Sequence, residues 1–141
     1  MICLSEADAL ASLLGRDLHC PKPLCASHAA LSAFLAVSQD RQPIHDPAGE
    51  ALVPANLLLS LLPCVLQSAL QVGGHSACYT VGYDRIRFRR PVRAGQVLQV
   101  RFSVQQVRRR AGGVYASLDI AIYDEQGRDT LTLRQRDYYL D

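Results

Sequence analysis

Apolar and polar positions change their period once along the chain. In the first half they recur at helical spacing. Leu10, Leu13 and Leu14 follow Ser5-Glu-Ala-Asp8, which fits a capping box, and Gly15 closes this short helix. Residues 16–23 read as a connector with two prolines, Pro21 and Pro23. Leu31, Phe34 and Leu35 predict a second helix over residues 26–39. Residues 40–50, with Pro43, Pro47 and Gly49, form a loop. Pro54 is placed to open a third helix, and Leu57, Leu58, Leu61, Leu62, Val65, Leu66, Ala69 and Leu70 carry it to Val72. Pro63 should kink it, and Gly73-Gly74 stops it.

In the second half the period is two. Leu98, Val100, Phe102 and Val104 alternate with Gln99, Arg101 and Ser103. Val114, Ala116, Leu118, Ile120 and Ile122 alternate with Tyr115, Ser117, Asp119 and Tyr123. Such rows are strands with one buried face. Residues 78–89 and 130–139 are weaker strands of the same kind. Turn chemistry lies at 91–95, 111–113 and 124–127, and the last two suit hairpins, so an antiparallel meander is expected. Helices followed by strands predict an α+β fold, with helices on one face of an antiparallel sheet.

The apolar helix raises the question of a membrane. Residues 51–83 contain no Asp, Glu, Lys or Arg, and 52–72 is long enough to span a bilayer. A span is not expected, because Pro54, Asn56, Ser60, Pro63, Gln67 and Ser68 interrupt it and no basic cluster anchors either end. The segment reads instead as the buried centre of one domain over residues 1–141, inside a curved sheet.

Composition narrows the function. Of 141 residues, 49% are hydrophobic and 20% charged, which fits one folded domain. The net charge of +2, with no aromatic interleaving in the arginine runs, gives no support for nucleic-acid binding. Five cysteines without a CxxC fit neither a disulfide framework nor a zinc site. They point to a reducing, cytoplasmic setting. The N-terminal stretch carries Glu6 and Asp8 and no basic residue, so it does not read as a secretory signal. His19, His28 and His75 read as surface or helix-end residues, and Cys64 and Cys78 as small buried apolar groups. Arg85, Arg87, Arg89, Arg90 and Arg93 read as a solvated sheet face, or as a landing site for phosphates or an acidic carrier protein.

The chemistry-bearing stretch is Ser38-Gln-Asp-Arg-Gln-Pro-Ile-His45. It sets a carboxylate, Asp40, and an imidazole, His45, on a proline-stiffened loop between two helices. Groups so placed can converge on one water and move a proton. The spacing alone is equally that of an ordinary turn. The second stretch is Val53-Pro-Ala-Asn-Leu57, where free N–H groups at a helix start can hold a developing oxyanion or simply open a core helix.

These residues carry a resemblance. The first stretch resembles the S-G-D-x-N-P-[IV]-H motif of the MaoC-like, or (R)-specific enoyl-CoA hydratase, family. Gly82-Tyr-Asp-Arg-Ile-Arg-Phe88 and Arg90-Pro-Val-Arg-Ala-Gly95 resemble its second block. The resemblance runs over residues 30–104. It implies a hotdog fold, in which an antiparallel sheet wraps a long central helix, and a homodimer. It implies reversible hydration of a trans-2-enoyl thioester to the (R)-3-hydroxyacyl form, on coenzyme A or acyl carrier protein. Asp40 and His45 would be the catalytic pair. Gln42, Pro54, Ala55 and Asn56 would contact substrate, with no metal or cofactor. The alternative is a non-catalytic hotdog subunit or acyl-thioester binder that works through a partner. Three positions depart from the family pattern. Gln42 stands for its Asn, Gln39 for its Gly, and Pro54-Ala55 for its His-Gly. The dehydratase and thioesterase types of hotdog carry an acid on or beside the central helix, and residues 54–72 contain none.

Overall fold

A computed structural model describes all residues, Met1–Asp141. In chain order the elements are β1 (Ile2–Leu4), a 3-10 helix (Ala7–Leu13), β2 (Leu18–His19), β3 (Leu24–Cys25) and α1 (His28–Ser38). A 3-10 turn (Pro43–His45), α2 (Ala55–Leu66) and β4 (Leu70–Val72) follow, then β5 (Ala77–Phe88), β6 (Val97–Arg110), β7 (Gly113–Tyr123) and β8 (Asp129–Leu140). The fold is α+β, as the change of period predicts.

The long strands form an antiparallel sheet in the order β6-β7-β8-β5. Only β6, β7 and β8 make the expected meander. β5 crosses to the far side and pairs with β8, leaving its outer edge free. The other edge, on β6, is closed by β2 opposite Phe102 and Arg101 and by β3 opposite Leu98 and Val97. Alternate side chains share one face, and the inward residues of β6, β7 and β8 are mainly apolar. With Leu57, Leu58, Leu62 and Val65 of α2 and Leu10 and Leu13 of the 3-10 helix, they form one core of 27 buried residues.

Three local expectations are corrected. The capping box does not form: the first helical segment is a 3-10 helix, and Glu6 at its N-cap has no side-chain cap bond. The apolar segment is not one helix from Pro54 to Val72, since α2 has 12 residues and ends at Leu66. Leu70–Val72 instead pairs in parallel with Ile2–Leu4. Pro63 lies within α2 and lacks an N–H to donate to the preceding turn. The central helix is therefore shorter than the resemblance implies. No helix is long and apolar enough to cross a membrane. Finally, Cys64 and Cys78 are exposed rather than buried.

Leu62 is 1% exposed, near the middle of α2. Leu62→Ala is expected to destabilise the fold by about 2–5 kcal/mol, read as a lower midpoint in urea. A loss below 1 kcal/mol would mean that α2 is not packed into the core.

Candidate active site

α1 ends on a left-handed residue. Gln39 takes φ 56°, and its N–H closes on the Leu35 carbonyl at 2.8 Å. The conformation favours glycine, the residue that the resembling motif carries there. The chain then turns on the Asp40 carboxylate, whose Oδ1 accepts from the Gln42 N–H at 3.0 Å. The Gln42 carbonyl in turn accepts from the His45 N–H at 3.0 Å. The Gln42 backbone thus braces both members of the pair, while its side chain makes no hydrogen bond.

His45 is fixed from the other side. Its Nδ1 lies 2.6 Å from the Leu52 carbonyl oxygen. A carbonyl only accepts, so Nδ1 carries the proton and the lone pair sits on Nε2. Nε2 faces Asp40 Oδ2 at 3.7 Å. That is too long for a direct hydrogen bond and short enough for both atoms to hold one water. The His45 side chain is 12% exposed and that of Asp40 31%, so the pair is sheltered but reachable.

The next turn of chain opens α2. Val53 N–H donates to the Val92 carbonyl at 2.7 Å, and Ala94 N–H to Ala51 at 2.9 Å, which ties this stretch to the turn before β6. Pro54, the predicted first residue of the helix, is its N-cap, and the helix begins one position later, at Ala55. The N–H groups of Ala55 and Asn56 have no acceptor within the chain. Asn56 is exposed and Ala55 half-buried. Of the predicted site residues, the structure brings Asp40, Gln42 and His45 together on one loop. Pro54, Ala55 and Asn56 begin two residues after the Leu52 carbonyl that holds His45.

A second group of polar residues lies at the other end of α2. A cavity of about 540 Å3 lies beside the far end of α2. Pro63, Leu66, Leu70 and Val72 line one side, and Thr80, Gln135, Asp137 and Tyr139 another. His75 lines it as well, with its ring edge-on to Tyr139 at 5.1 Å. At 1.5 Å per residue, this cavity is roughly 17 Å along α2 from the dyad end. The signal for it stood in β8, whose inward row runs Leu131, Leu133, Gln135, Asp137, Tyr139. On the outer face, Arg85, Arg87, Arg89, Arg101 and Arg134 line a separate hollow of about 350 Å3 with Asp17, Asp119 and Asp129. Arg101 pairs with Asp129 at 3.2 Å and Arg134 with Asp119 at 2.6 Å, so part of this positive charge is neutralised within the sheet.

The sheet order and the helix set against it define a hotdog fold, and solved structures of similar fold include MaoC-like dehydratases and (R)-hydratases. An (R)-hydratase from A. caviae involved in PHA biosynthesis matches with TM-score 0.69 and 25% identity, over 91% of this chain and 96% of that one. HadBC, a 3R-hydroxyacyl-ACP dehydratase complex from Mycobacterium tuberculosis, matches with TM-score 0.72 and 17% identity, over 89% and 96%. A monoamine oxidase regulatory protein from Archaeoglobus matches with TM-score 0.77 and 16% identity, over 99% and 97%. No protein-family model matches the sequence, and no curated protein matches it either. The resemblance read from the motifs is thus met by the fold.

A side chain at Gln39 opposes the left-handed conformation on which the loop turns. Gln39→Gly is expected to raise stability by about 1 kcal/mol, seen as a higher midpoint in urea. An unchanged or lower midpoint would show that the Gln39 side chain offsets the strain.

Proposed function

We propose that the chain hydrates and dehydrates an acyl thioester, interconverting trans-2-enoyl and (R)-3-hydroxyacyl forms. The observation that carries this reading is the pairing of His45 Nε2 and Asp40 Oδ2 at 3.7 Å, with the histidine tautomer set by the Leu52 carbonyl. In hydration, the pair orients one water and takes a proton from it as its oxygen adds to C3. A proton returns from the pair to C2 on the same face. Negative charge gathers meanwhile on the thioester oxygen, where the free Ala55 and Asn56 N–H groups at the positive end of α2 are the available donors. Asp40 and His45 act as a coupled unit, so neither is assigned a fixed role as acid or base. The arginines of the outer face offer contacts for coenzyme A phosphates or an acidic carrier protein.

One observation favours a second reading, a non-catalytic subunit acting with a partner. Ala55 adds a Cβ where the resembling motif has glycine, at the point the thioester would approach. Loss of enoyl absorbance, with trans-2-enoyl thioesters on coenzyme A and on carrier protein, separates the two. The wild type is expected to hydrate at least one of them. Asp40→Asn and His45→Ala are expected to slow hydration about 10²–10⁴-fold while remaining folded. A folded wild type inactive on both carriers would sink the catalytic reading, as would a fully active His45→Ala.

We also propose that two copies pair through β5. Its outer edge is unpaired, and it exposes Tyr79, Val81, Tyr83 and Phe88. Such an edge invites another strand. Wild type is expected to sediment as a dimer and Val81→Lys as a folded monomer. A monomeric wild type would refute the pairing.

A further inference from the structure

The inward row of β8 breaks the rule of its own sheet. Gln135 and Asp137 are each 6% exposed, in a register that holds Leu131 and Leu133 one step earlier. Polar groups at core positions cost free energy unless their bonding capacity is used. Here it is used only in part. Asp137 Oδ1 accepts from Thr80 Oγ1 at 2.8 Å and from Gln135 Nε2 at 3.0 Å. Oδ2 accepts only from Gln135 Nε2, at 2.9 Å. Gln135 Oε1 has no partner in the chain. Both residues line the cavity beside the far end of α2, facing the apolar wall of Pro63, Leu66 and Leu70.

We propose that this cavity binds an acyl chain bearing a hydroxyl group away from the thioester, and that the hydroxyl bonds to Asp137 and Gln135. Resting on the acyl-thioester reading above, the proposal narrows its substrate class. The apolar wall takes the methylenes. The open acceptors Asp137 Oδ2 and Gln135 Oε1 take the O–H. Burial pushes the Asp137 carboxyl above its ordinary range, against the bonds from Gln135 and Thr80. A neutral hydroxyl suits such a group, because it donates to the carboxylate and accepts from the acid. A plain alkyl end would leave Gln135 Oε1 and Asp137 Oδ2 facing hydrocarbon.

The test is calorimetric titration of medium-chain saturated ω-hydroxyacyl-CoA thioesters against their unsubstituted counterparts. Saturated chains bind without turnover, so the result does not depend on the dyad. Wild type is expected to bind the hydroxylated series about tenfold tighter or more. Asp137→Leu and Gln135→Leu are expected to abolish or reverse that preference, and Asp137→Asn to keep part of it. Equal or tighter binding of the alkyl series by wild type would overturn the proposal. So would an unchanged preference in a folded Asp137→Leu or Gln135→Leu. If Asp137→Leu does not fold, the wild-type preference and Gln135→Leu decide. No binding of either series would overturn the acyl-thioester reading and this proposal together. Binding of both with no preference would overturn the hydroxyl assignment alone.

Discussion

Burial of α2 is the constraint on which the rest of the molecule depends. The helix carries no charged side chain, and Leu57, Leu58, Leu62 and Val65 leave it with a broad apolar surface. Left in water, that surface would cost about 25 cal/mol for each Å2. The inward face of β6, β7 and β8 supplies the cover, and Phe102 and Val104 are 1% and 0% exposed. Once α2 is seated, its two ends have fixed surroundings. The dyad loop is drawn over the first end by the Leu52 carbonyl. The cavity is left beside the second, where α2 stops at Leu66 and the chain turns off into β4.

Period was the most legible feature of the sequence. It separated helices from strands and located β6 and β7 closely, because a row such as Leu98, Val100, Phe102, Val104 fits only a strand with one dry face. It could not end α2. Leu70 and Val72 are apolar in either reading, and what makes them a strand is their pairing with Ile2 and Leu4, some seventy residues earlier in the chain. Propensity also misjudged the start. Ser5 and Asp8 have the capping-box spacing, yet the segment closes as a 3-10 helix with Leu10 and Leu13 buried beneath it. Long-range packing decided both places, and no local window contains it.

The candidate site was legible where the motif is contiguous and illegible where it is not. Asp40 and His45 lie five residues apart on one loop, so a sequence pattern can hold them. The partner that sets the histidine tautomer is a main-chain carbonyl, and such a group leaves no trace in residue identity. Gln39 shows the converse case. The glycine of the resembling motif answers to a left-handed φ, and that requirement persists here although the residue has changed. The cavity was missed for a different reason. Gln135 and Asp137 look like ordinary outward residues among Arg134 and Arg136. They share the inward face with Leu131, Leu133 and Tyr139, and pairing with β7 sets Gln135 opposite Leu118 and Asp137 opposite Ala116.

The dyad and the helix start are best understood as one device. Leu52 holds the His45 Nδ1 proton through its carbonyl, and three residues on, Ala55 begins the free N–H groups of α2. A shift of this short stretch would move the His45 ring and the free Ala55 and Asn56 N–H groups together. The stretch is held from the far side by Val53 N–H on the Val92 carbonyl and by Arg93 Nη1 on the Glu50 carbonyl at 2.7 Å. The first of these bonds is main chain to main chain, and the second is donated by the Arg93 side chain to a main-chain carbonyl. What the replacement of His-Gly by Pro54-Ala55 adds beside the N–H groups is the Ala55 methyl group. On the hydratase reading proposed above, activity turns on whether a thioester can approach past one methyl group, beside an Asp40–His45 pair already held in place by the Gln42 and Leu52 backbone.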